Sequence, residues 1–365
     1  MEILLKNKNI FIDFILNQWL VVVSGVGLVL TSLYTKHFPT YSIQELQILF
    51  ILFILFIAVN GLNNSGLILR IAQKIEQGKA IPLKLVIITF ILSIVVTNDI
   101  ALIIIVPLTI SLNINRKGIL VIFEALAANA GSALTPFGNP QNLFIYWFYN
   151  IHPIRFIESI APFSLSLIAI LITLSLFIKI SNNNQETIAK KINKKYCYIF
   201  IGLLCIVFSI IIHALPVKAG IIVIVIALVI DRKAFHIDYA LLFSFFFFFG
   251  IADNLKTILV SEISHSGHVF IFSALASQVM SNVPTTLLFA KFTTNWEALL
   301  WGTNAGGFGS LFGSLANLIA YKIYITNTEE KNPIQFTIQF LILGYLAFFI
   351  SIGLYFMSHP LQGKL

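Results

Sequence analysis

Charge is what this sequence has least of. Only 10% of its 365 residues are Asp, Glu, Lys or Arg, while 58% are hydrophobic. A soluble domain carries about 25% charged residues. A soluble fold of this length has no room to hide so much apolar surface, so a bilayer is the expected solvent. Cysteine is nearly absent: Cys197 and Cys205 share one apolar segment, at a spacing that fits neither a metal nor a redox site and reads as packing. Catalytic signatures are also lacking. There is no HExxH, no GxSxG and no paired catalytic Asp motif, which argues against an intramembrane enzyme. No cofactor is expected. The net charge of +8 does not indicate nucleic acid, because no basic stripe with interleaved aromatics exists. No cleavable signal peptide is expected: the first apolar run is long enough to remain a helix, and no small-residue cleavage site follows it.

What is present is a succession of apolar runs. A spanning helix needs roughly 20 mostly apolar residues. Spans are predicted near 13–34, 44–63, 157–180, 197–214, 216–231, 236–253 and 334–358. Four further stretches differ. Segments 82–96 and 100–112 are short and flank Thr97-Asn98-Asp99. Segments 268–280 and 285–293 flank Ser281-Asn282-Val283-Pro284 in the same way. These read as two re-entrant hairpins, about 82–112 and 268–293. Segments 119–150 and 296–325 are long but interrupted by Gly and Pro, and read as two broken spanning helices. Broken backbone at membrane depth is tolerated only inside protein or along a cavity. The fold class predicted is all-α integral membrane, with about nine spanning helices.

The polar, Asn- and Lys-rich stretch 181–196 divides the chain into an N-terminal repeat, 1–180, and a C-terminal repeat, 197–365. With the N-terminus inside and both hairpins re-entrant, 17 of the 23 Lys and Arg residues fall on the inner side and 6 on the outer. That asymmetry follows the positive-inside rule and places 181–196 in the cytoplasm.

The repeat is visible directly. Residues 129–146 read NAGSALTPFGNPQNLFIY and residues 304–321 read NAGGFGSLFGSLANLIAY. Asn129, Ala130, Gly131, Phe137, Gly138, Asn142, Leu143 and Tyr146 match Asn304, Ala305, Gly306, Phe312, Gly313, Asn317, Leu318 and Tyr321. Upstream, Ser93 to Asn98 parallels Ser277 to Asn282, each with a hydroxyl residue just before the Asn. The first hairpin opens from inside and the second from outside, so the repeats are expected to be inverted. Paired interruptions in two halves point to a transporter's binding site.

A helix that stops within the membrane leaves free N–H groups at one end and free C=O groups at the other. The N–H end attracts anions. The C=O end, with Asn and Ser/Thr oxygens, suits a small hard cation such as Na⁺. Gly138 and Gly313 allow close backbone approach, and Pro136, Pro140 and Pro284 are expected to hold the chain out of helix. Asp99 is a carboxylate at bilayer depth, which costs about 2.5–3.5 kcal/mol on insertion scales. It is expected to bind Na⁺, carry a proton or meet substrate, or else to cap a helix starting at Ile100. Glu124 lies further into its segment, with function and an inner-interface position both open. Ser281, Asn282, Thr285 and Thr286 form a polar cluster in an apolar hairpin.

These residues resemble the ion transporter superfamily, which includes divalent anion:sodium symporters, arsenite permeases and sodium–proton antiporters. The resemblance runs from about 44 to 358 and is strongest at Thr97-Asn98-Asp99, Gly138-Asn139-Pro140-Gln141-Asn142 and Ser281-Asn282-Val283-Pro284-Thr285. It implies one Na⁺ site at Ser93, Thr97, Asn98 and Gly138, and another at Ser277, Asn282 and the backbone near Gly313. It implies that substrate meets Thr97, Asn98, Asp99, Asn139, Pro140, Ser281, Asn282 and Thr285. The symporter branch carries Thr where Asp99 and Val283 stand here, and the Asn-Asp tip followed by an apolar run and Pro107 looks more like the arsenite permease branch. The second break has no Pro. The resemblance further implies a hairpin-bearing transport domain that moves against a dimerising scaffold. The function expected is secondary active transport of a small anion or oxyanion across the cytoplasmic membrane, coupled to Na⁺ or H⁺. A sodium–proton antiporter or arsenite-type efflux permease using Asp99 is the alternative.

Overall fold

Asn, Ser and Pro set where many of these helices begin. The computed structural model describes residues 18–75, 80–112, 116–178, 193–258, 265–327 and 332–359. Among them every regular element is helical and no strand occurs. The helices are α1 Trp19–Thr35, α2 Ile43–Asn64, α3 Leu67–Ile75, α4 Ile81–Val96, α5 Asn98–Ser111, α6 Lys117–Ala133, α7 Pro140–Phe148 and α8 Pro153–Ser175. The second half continues with α9 Lys194–Ile211, α10 Gly220–Ile230, α11 Tyr239–Ile258, α12 Ser266–Met280, α13 Asn282–Phe289, α14 Trp296–Gly306, α15 Leu315–Asn327 and α16 Pro333–Ser358. Ser42 and Glu45 form a capping box at the start of α2, satisfying donors that a helix N-terminus leaves free. Asn193 and Asn332 cap α9 and α16 through their side chains. Pro82, Pro140, Pro153 and Pro333 occupy the opening positions of their helices, where a missing N–H costs nothing.

Among the described residues, five segments are long and apolar enough to cross a membrane: Ile43–Asn64, Pro153–Ser175, Lys194–Ile211, Arg232–Thr257 and Pro333–Ser358. The shorter apolar helices include α4, α5 and α12. Helices α6 and α14 lie at the centre, with residues 120–133 and 298–306 all buried. Helix α4 packs along α6, and α12 along α14. Small residues allow it. A Cβ on Gly131 would strike the Phe90 carbonyl and Ser93 Oγ, and one on Gly306 would strike Ser277 and the Ala274 carbonyl. In a bilayer, such close backbone approach replaces the missing hydrophobic drive between helices. Elsewhere α1 packs on α11, and α2 on α9 and α10.

Several expected boundaries move. The predicted span 157–180 starts at Pro153 and ends at Ser175, because Pro153 is a ready-made first residue. The run 216–231 is a 3₁₀ turn, Val217–Ala219, leading into α10. Residues 194–196, expected in the linker, are the first turn of α9, capped by Asn193; residues 179–192 lie outside the described residues, as do residues 1–17, where the first span was expected to begin. Helix α3 was not foreseen. Its Arg70 and Gln73 interrupt an apolar run too short to span.

The hairpin breaks are narrower than expected. Each is a single residue, Thr97 or Ser281. Asn98 and Asp99 already belong to α5, and Asn282, Val283 and Pro284 to α13. Asp99 therefore does not cap a helix beginning at Ile100, and Pro284 does not hold the chain out of helix. A proline in the first turn has no intrahelical bond to lose.

Candidate functional site

Thr97 has φ 79° and ψ 151°; Ser281 has φ 73° and ψ 156°. This region is essentially reserved for glycine and costs an ordinary residue about 1–3 kcal/mol. That both hairpins adopt it at matching positions is the first sign of a built site. Each turn delivers the next Asn to a glycine carbonyl. The Asn98 N–H donates to Gly138 O at 3.3 Å, and the Asn282 N–H to Gly313 O at 3.0 Å. Glycine is required at both acceptors. A Cβ on Gly138 would overlap the Ser132 backbone, and one on Gly313 would press on the carbonyls of Gly306 and Phe308.

The breaks in the central helices are tied by asparagine side chains. Asn142 Nδ2 donates to the carbonyls of Ser132, Ala133 and Thr135 at 3.2, 2.9 and 3.4 Å. Asn317 Nδ2 donates to those of Gly307 and Ser310 at 2.9 and 3.0 Å. These are carbonyls at and just past the ends of α6 and α14, where intrahelical partners run out. The free amide oxygens cross over. Asn129 Nδ2 donates to Asn317 Oδ1 and Asn304 Nδ2 to Asn142 Oδ1, both at 2.8 Å. The break residues follow: Ser314 Oγ donates to Asn129 Oδ1 at 3.1 Å, and Asn139 Nδ2 to Asn304 Oδ1 at 3.4 Å. Thr135 Oγ1 reaches the Ile94 carbonyl at 3.0 Å, as Ser310 Oγ reaches that of Gln278 at 2.8 Å.

The residues singled out in the sequence divide into those this network gathers and those it does not. Asn98 joins it through Nδ2 to Asn129 Oδ1 at 3.2 Å. Asn139 caps α7 and Pro140 opens it. Asn282 Nδ2 lies against Gly307, whose carbonyl accepts from Asn129 and Asn317. Gly138 and Gly313 accept the tip N–H groups. Ser93 and Ser277 are fully buried under α6 and α14 and donate to their own helices, at Phe90 O and Ser273 O. Thr285 likewise donates to Ser281 O. Thr97 and Ser281 are buried at the turns. Asp99 is half-buried, with Oδ1 shielded and without a partner.

Sequence reasoning missed Asn129, Asn142, Asn304 and Asn317 as site residues and read them only as marks of the repeat. The available signal was chemical: four matched carboxamides stand in stretches where every buried polar group needs a partner.

The arrangement brings opposite poles together. Helices α5, α7, α13 and α15 all start at the breaks, and α4, α6, α12 and α14 all end there. Starting ends present partial positive charge and N–H donors; finishing ends present carbonyls. Helix starts, whose polarity favours an anion, and helix ends, whose polarity favours a cation, thus meet at the same breaks.

The sequence is similar to known proteins over most of its length. Residues 10–301 match the family described as citrate transporter, a stretch that holds both hairpins and the first break. An uncharacterized transporter of Methanocaldococcus jannaschii is 34% identical over 291 residues, 76% of this chain and 78% of that protein. The inner membrane protein YbiR of Escherichia coli is 35% identical over 255 residues, 64% of this chain and 66% of that protein.

Proposed function

The chain belongs to the citrate transporter family and is a multi-pass membrane transporter, not an enzyme; from that premise we propose that it moves a small anion or oxyanion by alternating access, coupled to Na⁺ or H⁺. The observation that carries this reading is the paired tip contact, Asn98 to Gly138 and Asn282 to Gly313. It sets two helix starts and two helix ends around each turn. The anion is held by the N–H ends of α5 and α13 with Asn98, Asn282, Asn139 and Ser281. Cations are held at Ser93, Thr97, Asn98 and Gly138, and at Ser277, Asn282 and Gly313. The two halves are inverted repeats. The protein sits in the cytoplasmic membrane with its N-terminus inside, and works as a homodimer.

Citrate is one candidate substrate, by the family's description. Asp99 beside the first tip disfavours a highly charged anion, so singly charged anions and neutral oxyacids belong in the same test. That test is uptake into proteoliposomes of labelled citrate, dicarboxylates, sulfate, phosphate and arsenite, under a Na⁺ gradient, a pH gradient or neither. Accumulation of one compound under one gradient supports the reading. Uptake that only equilibrates, with no accumulation under any gradient, overturns it in favour of a passive channel.

The shielded, unpartnered Oδ1 of Asp99 favours a second reading, a sodium–proton antiporter or arsenite-type efflux permease that works through this carboxyl. Asp99→Asn then abolishes all transport activity. In the anion carrier, Asp99→Asn leaves substrate binding measurable.

A further inference from the structure

Glu124 belongs to none of the contacts above, yet it is the most enclosed carboxyl among the described residues, with no exposed surface. It projects from α6 toward α5, where Thr109, also fully buried, donates its hydroxyl to Oε1. Oε2 is buried and has no partner. The position is informative. Glu124 lies five residues before Asn129 on α6, about 7.5 Å along the axis, and seven after Lys117, about 10 Å. Thr109 shares α5 with Asn98. The carboxyl thus bridges the two helices that carry the first tip and the first crossed amide.

Oε2 of Glu124 takes no hydrogen bond from the charged groups on the packed elements among the described residues. Helix α6 touches α4, α5, α8, α14, α15 and α16. Their charged residues are Lys84 on α4, Asp99 on α5, Arg155 and Glu158 on α8, Glu297 on α14 and Lys322 on α15; α16 has none. The tyrosines there are Tyr321 and Tyr324 on α15 and Tyr345 and Tyr355 on α16. No hydrogen bond from any of them arrives at Oε2, and Arg155 pairs with Glu297. An isolated carboxylate in so dry a place costs several kcal/mol. Protonation removes that cost while α5 and α6 are packed.

We propose that Glu124 is a proton-binding site, loaded while α5 and α6 are packed and emptied when their interface admits water. The reaction is a simple dissociation: the O–H bond at the carboxyl breaks, the electron pair stays on oxygen, and the proton passes to water. The inference rests on the coupled-transport reading and narrows it, making the proton a coupling ion and Glu124 its carrier. Movement of the first hairpin would open the contact, because Thr109 travels with Asn98. Substrate binding at the tip and proton binding at Glu124 then favour the same packed state, which is what coupling requires.

The test compares wild type, Glu124→Gln and Thr109→Val in proteoliposomes, using whichever anion of the panel is transported. Two quantities are read: accumulation driven by an imposed pH gradient, and counterflow exchange without a gradient. In Glu124→Gln the ratio of accumulation to counterflow falls at least tenfold. Thr109→Val keeps the acid and shifts the pH of half-maximal accumulation. An unchanged ratio in Glu124→Gln overturns the proposal. So does a wild type that responds to Na⁺ alone, although anion transport then stands. If the Gln variant does not fold, an unshifted pH profile in Thr109→Val overturns it instead. An infrared measurement separates this inference from the transport reading. Wild type in detergent shows the carbonyl stretch of a protonated carboxylic acid that Glu124→Gln lacks, whether or not any panel anion is moved. Absence of that band in wild type refutes the proposal on its own.

Discussion

Thr97 and Ser281 hold strained backbone for a reason that the hydrogen bonds make plain: no relaxed turn of one residue would deliver the following Asn N–H to a glycine carbonyl in another helix. Local strain of this kind persists only where surrounding structure over-determines it. Relief of about 1–3 kcal/mol on Thr97→Gly exceeds the roughly 0.4–1 kcal/mol that glycine loses through the freer unfolded chain. Thr97→Gly therefore raises the melting temperature in detergent, and Thr97→Val does not. At this scale the sequence was partly legible. Asn98 and Asn282 stand out as polar residues inside apolar runs. That the break would shrink to a single β-branched or hydroxyl residue was not readable, because propensity argues against positive φ at Thr. The crossed partners, Asn317 for Asn129 and Asn304 for Asn142, were invisible for another reason: they lie 188 and 162 residues away.

At the level of elements, hydropathy located the long helices, since a bilayer leaves little freedom over where an apolar run of 20 residues goes. It said nothing of how the hairpins are fastened. One fastening is an ion pair between α2 and the far end of the second hairpin. Lys291 Nζ lies 2.5 Å from Glu45 Oε1, with Glu45 only 1% exposed. Gln44 beside it donates to the carbonyls of Trp147 and Phe148 at the end of α7, and Tyr149 donates to those of Ala290 and Thr293. Removing one partner of a buried pair strands the other, at a cost of about 3–5 kcal/mol. Lys291→Met should lower thermal stability by that order, and adding Glu45→Gln should recover much of the loss. A double-mutant cycle in unfolding measurements checks it; additive losses would mean that the pair contributes nothing as a pair. Helix α3 and the capped first turn of α9 escaped the sequence reading because polar residues within a short segment read equally well as a loop.

For the molecule as a whole, the matched glycines and asparagines at 129–146 and 304–321 marked where the two halves resemble each other, but not how they meet. The meeting is reciprocal: each half's break supplies an amide oxygen to the other half's central helix. Asn129→Ala and Asn317→Ala should therefore be strongly non-additive. Each alone removes the 2.8 Å contact, so the double variant should fall short of the sum by about 1 kcal/mol. Strict additivity in unfolding measurements would show that the two halves are energetically independent at this point. Sequence similarity alone could not have told crossed pairs from pairs closed within each half, because both leave the same residues at the same spacing.

The crossed amides also order events during biosynthesis. Both acceptors of the Asn129 amide, Gly307 O and Asn317 Oδ1, belong to the second half of the chain, as does the Asn304 amide that reaches Asn142. At about 5–20 residues per second, the ribosome needs roughly 10–40 s to deliver them. For that interval the inserted first half carries an amide with no acceptor and a carbonyl with no donor in its most enclosed region. The nascent protein is thus polar inside until its last third arrives, and completion of the chain is what turns a local defect into the finished centre.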